Sequence, residues 1–453
     1  MDYMKRPLTW VAQRLGLQLE SRKEAAGWSI DSRSVQAGDL FFALRGPNHD
    51  GHEYIAEAFR KGAVAVVADR AVSAAAGPVL QVEDALAALQ ELAEEARRDW
   101  GGQVVAVTGS AGKTGTKEAI ASMLAVGMET AKNEGNLNNH IGLPLSLLRI
   151  PDAARIAVLE MGMNHAGEIR ALARIARPRV GVVTNVGWAH AESFAGIEGI
   201  AAAKRELIEE LGPQGIAVLN ADDARVAAFA KAHKGRTITY GCAAAADVRA
   251  EGLGNPPLGG SQFRVGTVEF ETPLAGLHSV SNILAGIAVA GIYGLTPEKL
   301  VDAVRLLQPG AMRGNRFSTP EGVLVIDDCY NSNPEAVRAM LDLLLTQSAT
   351  RHIAVLGEMR ELGSWSKRLH KDISSYAAEH GIDELIAIGG DARHFLDAFP
   401  RDAGHYFDEP EAAGSFTREL AQPGDAILFK GSRGVRVEKA LELFLATSEK
   451  GRS

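Results

Sequence analysis

Residues 103–124 read QVVAVTGSAGKTGTKEAIASML. A short apolar run enters a glycine-bearing turn, and the turn opens a helix-forming stretch. A strand that ends this way presents backbone N–H groups and the positive end of a helix dipole to an anion. Gly109, Ser110, Ala111 and Gly112 make the loop. Lys113 adds a full positive charge, and Thr114 adds a hydroxyl of the kind that ligates Mg²⁺ in nucleotide loops. The full phosphate-loop pattern asks for glycine at 107, where the chain has Val107, so a shorter GxxGKT remains. The strand before it and the helix after it favour a phosphate site over a plain strand–helix turn.

Outward from this loop the pattern is βα repeated. VVAVT (104–108), RIAVLE (155–160), VGVVT (180–184) and GIAVL (215–219) are continuous apolar runs, the signature of strands buried on both faces of a parallel sheet. A polar, glycine-rich section at about 246–273 reads as a hairpin insertion, and a helix follows over 278–293. A second α/β set carries strands at 323–327, 352–357, 384–390 and 426–431. Ahead of the loop, short strands and helices mix, and 84–100 is a long Ala/Leu/Glu helix. The expected fold is α/β in three domains. Residues 1–101 form a small mixed α/β domain, 102–312 a central nucleotide-loop domain on a mostly parallel sheet, and 313–453 a Rossmann-like domain.

Composition sets the class. The 453 residues are 46% apolar and 23% charged, which suits a soluble globular protein, and their length suits about three domains. A net charge of −8 without a Lys/Arg-rich block argues against nucleic-acid binding. Cys242 and Cys329 stand far apart, which excludes a disulfide framework and fits a reducing cytoplasm. Neither a signal peptide nor a run near the 18 or so apolar residues of a membrane span is read.

Two polar clusters fall near the loop. Glu160 ends a strand, and Asn185 and His190 lie just past another. Ligands of open α/β sheets bind outside the carboxyl ends of the strands, so these groups share the crevice of the loop. A carboxylate and an imidazole beside phosphates can hold a divalent cation. Lys204, on an Ala-rich helix, reads from position alone as a solvated lysine.

Several phrases then line up in order: TGSAGKTGTKE, GNLNNHIGLP, LEMGMNHAGEI, NVGWAH, AKREL, NADD, HSVSNILA, DDCYNSNP, LGEMRELG and KGSRGVRVE. With DSRSVQAGDLFFALRGPNHDGH at the start, the chain resembles the ATP-dependent Mur ligase family over nearly its whole length. DDCYNSNP and LGEMRELG resemble the member that acts last in the cytoplasmic pathway. The DNPR and DYAH-type phrases of the preceding member are absent from the sequence.

The resemblance implies an ADP-forming ligation in peptidoglycan synthesis. D-alanyl-D-alanine is joined to the carboxylate of UDP-N-acetylmuramoyl-tripeptide through an acyl phosphate, with ATP and Mg²⁺, in a cytoplasmic monomer that binds no nucleic acid and inserts in no membrane. It implies Lys113, Lys204 and His190 as catalytic groups, with Lys204 carbamylated. Thr114, Glu160 and His190 are implied for Mg²⁺, and Asn282, Arg313 and Asp328 for the nucleotide beside the loop. The implied substrate contacts are Ser32, Arg33, Asp50, His52, Asn136, Asn139 and Asn331. Arg313 is preferred to Arg316 for its spacing to Asp328, and Ser279 departs from the family's usual asparagine. Tyr330, Lys430, Ser432 and Arg433 are further candidates, and Cys329 reads as a buried small residue rather than a nucleophile. Two alternatives stand beside this reading: a folylpolyglutamate-synthase-like ligase, and a P-loop phosphotransferase or ATPase.

Overall fold

The computed structural model describes residues 3–72, 75–243, 245–254 and 259–446. The expected domain ends at 1–2 and 447–453, and residues 255–258 of the expected insertion, lie outside them. Three mostly parallel sheets organise the chain.

The first sheet has four parallel strands in the order Gly27–Ser29, Asp39–Phe42, Ala65–Ala68 and Val79–Gln81. Helix Ala85–Trp100 leads from it to the next sheet. Asp84 caps its start, accepting from the N–H groups of Leu86 at 2.7 Å and Ala87 at 3.0 Å. Gly101, at φ 68°, ends it in the left-handed conformation that a glycine adopts without strain. Ala85, Ala88, Leu89, Leu92, Ala93 and Ala96 repeat at helical spacing and are all buried. Through this stripe the apolar packing runs unbroken from the first sheet to the central one.

The central sheet has seven parallel strands. Their order is Val248–Arg249, Arg236–Gly241, Ile216–Asn220, Val180–Val183, Gln103–Thr108, Ile156–Glu160 and Thr130–Lys132. The four expected strands are present within a residue or two of their expected bounds. Thr130–Lys132 and Arg236–Gly241 are additional; the first is short and the second alternates polar with apolar residues. Strand Gln103–Thr108 lies between the strands that precede Asn185 and end at Glu160. The chain crosses from one side of it to the other after Glu160, which makes this the switch point where open α/β sheets bind ligands.

The expected hairpin is corrected in form. Val248–Arg249 joins the edge of the central sheet, and Glu251–Gly254, Ser261–Val265 and Val268–Thr272 make a separate three-stranded antiparallel sheet. Phe263 and Phe270 face each other across it, 5.4 Å between ring centres, and bury the face that a two-stranded ribbon would leave wet.

The third sheet runs Asn315–Ser318, Leu324–Asp328, Ala426–Lys430, His352–Gly357, Glu384–Ile388 and Gly404–Phe407. Its first pair is antiparallel and the rest parallel. No helix among the described residues is long and apolar enough to cross a membrane.

Candidate active site

The loop that opens helix Lys113–Leu124 is braced before any ligand arrives. Ser110 N donates to Asn185 O at 3.1 Å, and Ser110 Oγ to Gly187 O at 2.8 Å. Ala111 N donates to Asn185 Oδ1 at 2.8 Å, and Thr184 Oγ1 to Ala111 O at 2.6 Å. Gly109 sits at φ 152°, where an added Cβ would lie 1.8 Å from Thr184 Oγ1. Gly112 sits at φ 78°, where a Cβ would lie 2.7 Å from Asn282 Oδ1. Both glycines are therefore required by close approach as well as by conformation. The first-turn N–H groups of the helix have no carbonyl four residues back within it, so they are donors for an anion. Lys113 Nζ arches back to Gly109 O at 2.9 Å. Burial pulls this ammonium below its ordinary range, against the opposing pull of Glu160.

Glu160 is 3% exposed, and both its oxygens are used. Oε2 accepts from Thr114 Oγ1 at 2.8 Å, and Oε1 from Asn138 Nδ2 at 2.7 Å. Behind it Asn133, also buried, accepts from Glu160 N at 2.9 Å and donates to Leu137 O at 2.8 Å. The Asn133 carbonyl in turn accepts from Lys117 Nζ at 2.8 Å. Asn133→Ala would orphan buried Glu160 N, at roughly 1–3 kcal/mol, and leave Leu137 O only the longer contact from Ser146 Oγ at 3.5 Å. A fall in unfolding free energy of about 2 kcal/mol or more in denaturant titration is expected; a change below about 0.5 kcal/mol would show that these groups find other partners.

Lys204 is not the solvated lysine that its position suggested. It lies on helix Ile197–Glu209 at 2% exposure. Helix spacing puts it on the face of Ile200, Leu207 and Ile208, which is buried. Burial first, and then the charge of Lys113, push its ammonium well below the ordinary 10.5, while Glu335 pulls the other way.

The third domain reaches the loop at several points. Asn333 Nδ2 donates to Ser110 O at 3.3 Å, and Trp188 N donates to Glu335 Oε2 at 2.9 Å. Burial raises the Glu335 carboxyl. His190 Nδ1 lies 2.5 Å from Glu361 Oε2. The Arg313 guanidinium stacks over Tyr330 at 3.9 Å, and its charge is felt at Lys113. Arg316 turns instead to Pro273 O at 3.4 Å. Asp328 accepts from buried Lys430 at 2.5 Å, and the same ammonium donates to Asn331 O at 2.8 Å. Ser432 Oγ accepts from Arg360 N at 2.9 Å, and Arg433 pairs with Glu438 at 2.9 Å. Cys329 is buried, as read, and burial raises its thiol far above the range of a nucleophile.

Of the other sequence candidates, Asn282 lies against the loop and its helix, and the rest stand apart from them. Asn282 accepts from Thr116 Oγ1 at 2.9 Å and braces the base of the helix. Ser32 donates to Glu57 at 3.3 Å, and exposed Arg33 is forked on Asp31 at 2.6 Å. His52 lies between Asp50 at 2.7 Å and Asp69 at 3.1 Å, and Arg70 pairs with Asp50 at 2.9 Å. A cavity of about 360 Å³ opens beside His52 and Arg70. Asn139 Oδ1 accepts from Ile141 N at 3.1 Å and Gly142 N at 2.8 Å just ahead of helix Gly142–Leu148, and Asn136 is exposed, its carbonyl accepting from Asn138 N at 2.7 Å. Among the described residues no three His, Cys, Asp or Glu side chains converge as a metal cage.

Three family models cover most of the chain: a Mur ligase family catalytic domain over 24–97, a Mur ligase middle domain over 107–290, and a Mur ligase glutamate ligase domain over 312–433. The chain belongs to the Mur ligase family. It is 34% identical over 428 residues to the UDP-N-acetylmuramoyl-tripeptide–D-alanyl-D-alanine ligase of Bacillus subtilis, covering 92% of each chain. A crystal structure of MurF from Acinetobacter baumannii superposes at a TM-score of 0.91 with 31% identity, over 98% of this chain and 99% of that one. MurF from Thermotoga maritima in complex with ADP superposes at 0.83 with 31% identity, over 92% and 97%. The Mur ligase reading of the sequence is thereby borne out at the level of family and fold.

Sequence reasoning on this Mur ligase missed Asn138, Asn333, Glu335 and Glu361. Asn138 lies between the two asparagines singled out, and only the fold tells which of three reaches Glu160. Asn333 and Glu335 read as an N-cap and a first-turn acid of helix Pro334–Leu345, and Asn333 serves as that cap as well.

Proposed function

We propose that the chain joins D-alanyl-D-alanine to UDP-N-acetylmuramoyl-tripeptide with cleavage of ATP to ADP and phosphate, as the last ligation that builds a peptidoglycan precursor. The observation that carries this reading is the gathering of a phosphate loop, a buried carboxylate, a buried lysine and third-domain groups about one point. A simple phosphotransferase has no need of a third domain on its loop. The ligase is read as a monomer, and the nucleotide-linked precursor places the reaction in the cytoplasm.

The carboxylate of the tripeptide attacks the γ-phosphorus, ADP leaves, and an acyl phosphate forms. The amine of the dipeptide attacks the acyl carbon, and phosphate departs from the tetrahedral intermediate. Two anions must first meet, so catalysis rests on placed positive charge. Lys113 and the first-turn N–H groups hold the β- and γ-phosphates. Arg313 adds charge from the third domain, and Asp328 and Asn331 fix the strand end beside it. Asn282 holds the helix base against the nucleotide. The paired oxygens of Thr114 and Glu160 fit Mg²⁺, which takes one or two carboxylates and completes its shell with phosphates and water; His190 is the third protein group for the metal. When bound, the metal would neutralise phosphate charge.

Lys204 fits a carbamate, because burial favours its neutral amine, the form that adds CO₂ and releases a proton. The product is an anion that supports the metal. We assign residues 1–101, with Ser32, Arg33, Asp50 and His52, to the uridine-nucleotide end, and Asn136 and Asn139 to the loop under the precursor. Residues 102–312 take ATP, and 313–453 take the dipeptide. A cavity of about 510 Å³ beside Glu358, Arg360 and Asp391 carries both charges that a zwitterionic dipeptide requires.

Phosphate release with Mg-ATP and the UDP-tripeptide, measured with and without the dipeptide, tests the reading. Release that depends on the dipeptide, with a UDP-pentapeptide in the mass spectrum, is expected. Release that ignores the dipeptide would mean a phosphotransferase or ATPase.

A further inference from the structure

Five non-glycine residues among those described have positive φ: Arg177, His190, Met312, Glu361 and Arg436. Two of the five, His190 at 56° and Glu361 at 64°, face each other across the junction of the central and third domains, Nδ1 to Oε2 at 2.5 Å. An exposed ion pair does not hold two strained backbones by itself. The surroundings do. Glu361 O accepts from Glu192 N at 3.0 Å, and the rings of Trp188 and Trp365 pack with 4.9 Å between centres. At Gly363 an added Cβ would lie 2.8 Å from Glu192 Cβ, so the approach needs the glycine. Within the third domain Met359 N donates to His370 Nε2 at 3.0 Å and Arg360 N to Ser432 Oγ at 2.9 Å. Glu361 is therefore carried rigidly by that domain. Strain kept on both sides of one contact by such over-determination marks a working position.

We propose that Glu361 is a positioning residue for the ligation: delivered by the third domain, it fixes His190 through Nδ1 and so completes the nucleotide site only when the domains are shut. A carboxylate that accepts from Nδ1–H leaves Nε2 as the lone-pair nitrogen, the form that can serve a metal or phosphate partner. ATP cleavage then waits for the domain that is proposed to carry the amine substrate, and acyl phosphate is not formed with the site open to water.

The inference rests on the ligase reading, and two measurements separate them. In Glu361→Ala, dipeptide-dependent phosphate release should fall about 10–100-fold in kcat, the usual cost of losing the partner of a ligating histidine, with KM for the dipeptide unchanged. Glu361→Gln, whose amide oxygen still accepts, should recover most of the rate. The second measurement is the ¹⁵N spectrum of the His190 ring at fixed pH, in protein holding the β,γ-methylene analogue of ATP without divalent metal. Wild type and Glu361→Gln should show the Nδ1–H tautomer, and Glu361→Ala should lose it. Wild-type kcat in the alanine variant, or the same tautomer in all three proteins, overturns the proposal. Wild-type release that ignores the dipeptide overturns the ligase reading alone, because the ring spectrum still reports the contact.

Discussion

Lys204→Ala is expected to reduce ligation by at least about a thousandfold, the upper end of what one preorganised electrostatic group supplies. The lysine is sealed in the interior, within electrostatic reach of Lys113 and of Glu335 of the third domain. A full ammonium there would be desolvated and repelled, so the neutral amine and its carbamate are the forms that fit. Short carboxylates such as acetate should partly restore the alanine variant by entering the space left behind. Full activity without them would remove Lys204 from the chemistry.

Lys204→Met should lose activity equally and yet gain stability, because it removes a costly charge and keeps the volume. The pH dependence has a definite sign. The ammonium of the unmodified lysine is disfavoured in the folded state, so folding releases protons below 10.5. Its penalty is full at low pH and is relieved as pH rises toward 10.5. In protein stripped of CO₂, the melting-temperature advantage of Lys204→Met should therefore shrink as pH rises. An advantage that grows with pH would contradict the burial argument.

Lys113→Ala is expected to lower kcat by about 10²–10³-fold and to weaken ATP binding. Its ammonium is the one full charge carried by the loop itself, and Gly109 O holds it back over the loop. The variant has a second effect. The charge of Lys113 helps to keep Lys204 neutral, so its loss lets Lys204 hold its proton more tightly and resist CO₂. The two losses should not add. Lys113→Ala combined with Lys204→Ala should be little slower than the worse single variant, as for residues that act as a unit. Additive losses would show that the two lysines act independently.

The strands of the central and third sheets were legible because burial on both faces leaves an unbroken apolar run, as in IAVLE and AILFK. Thr130–Lys132 was not, because an edge strand of three partly exposed residues has no such run. The loop was legible because its chemistry is local: two glycines, a lysine and a threonine within six residues. Glu160 and His190 followed from their places at strand ends. Glu335 and Glu361 were invisible because their partners, Trp188 and His190, lie 147 and 171 residues away in the chain, and only the docking of the third domain joins them. Lys204 looked solvated because a lysine on an alanine-rich helix usually is, although it stands on the buried face with Ile200 and Leu207.

The two outer strands of the central sheet carry a further consequence. One is two residues long, Val248–Arg249, and the other three, Thr130–Lys132, with Lys132 engaged by Glu118. A seven-stranded sheet with long bare margins would template the addition of a neighbouring molecule. Here each margin exposes too short a row of backbone groups for a second copy to zip onto, and the lysine adds a charge that such a copy would have to bury. A sheet wide enough to seat a nucleotide at its centre is thus protected against stacking edge to edge into aggregates.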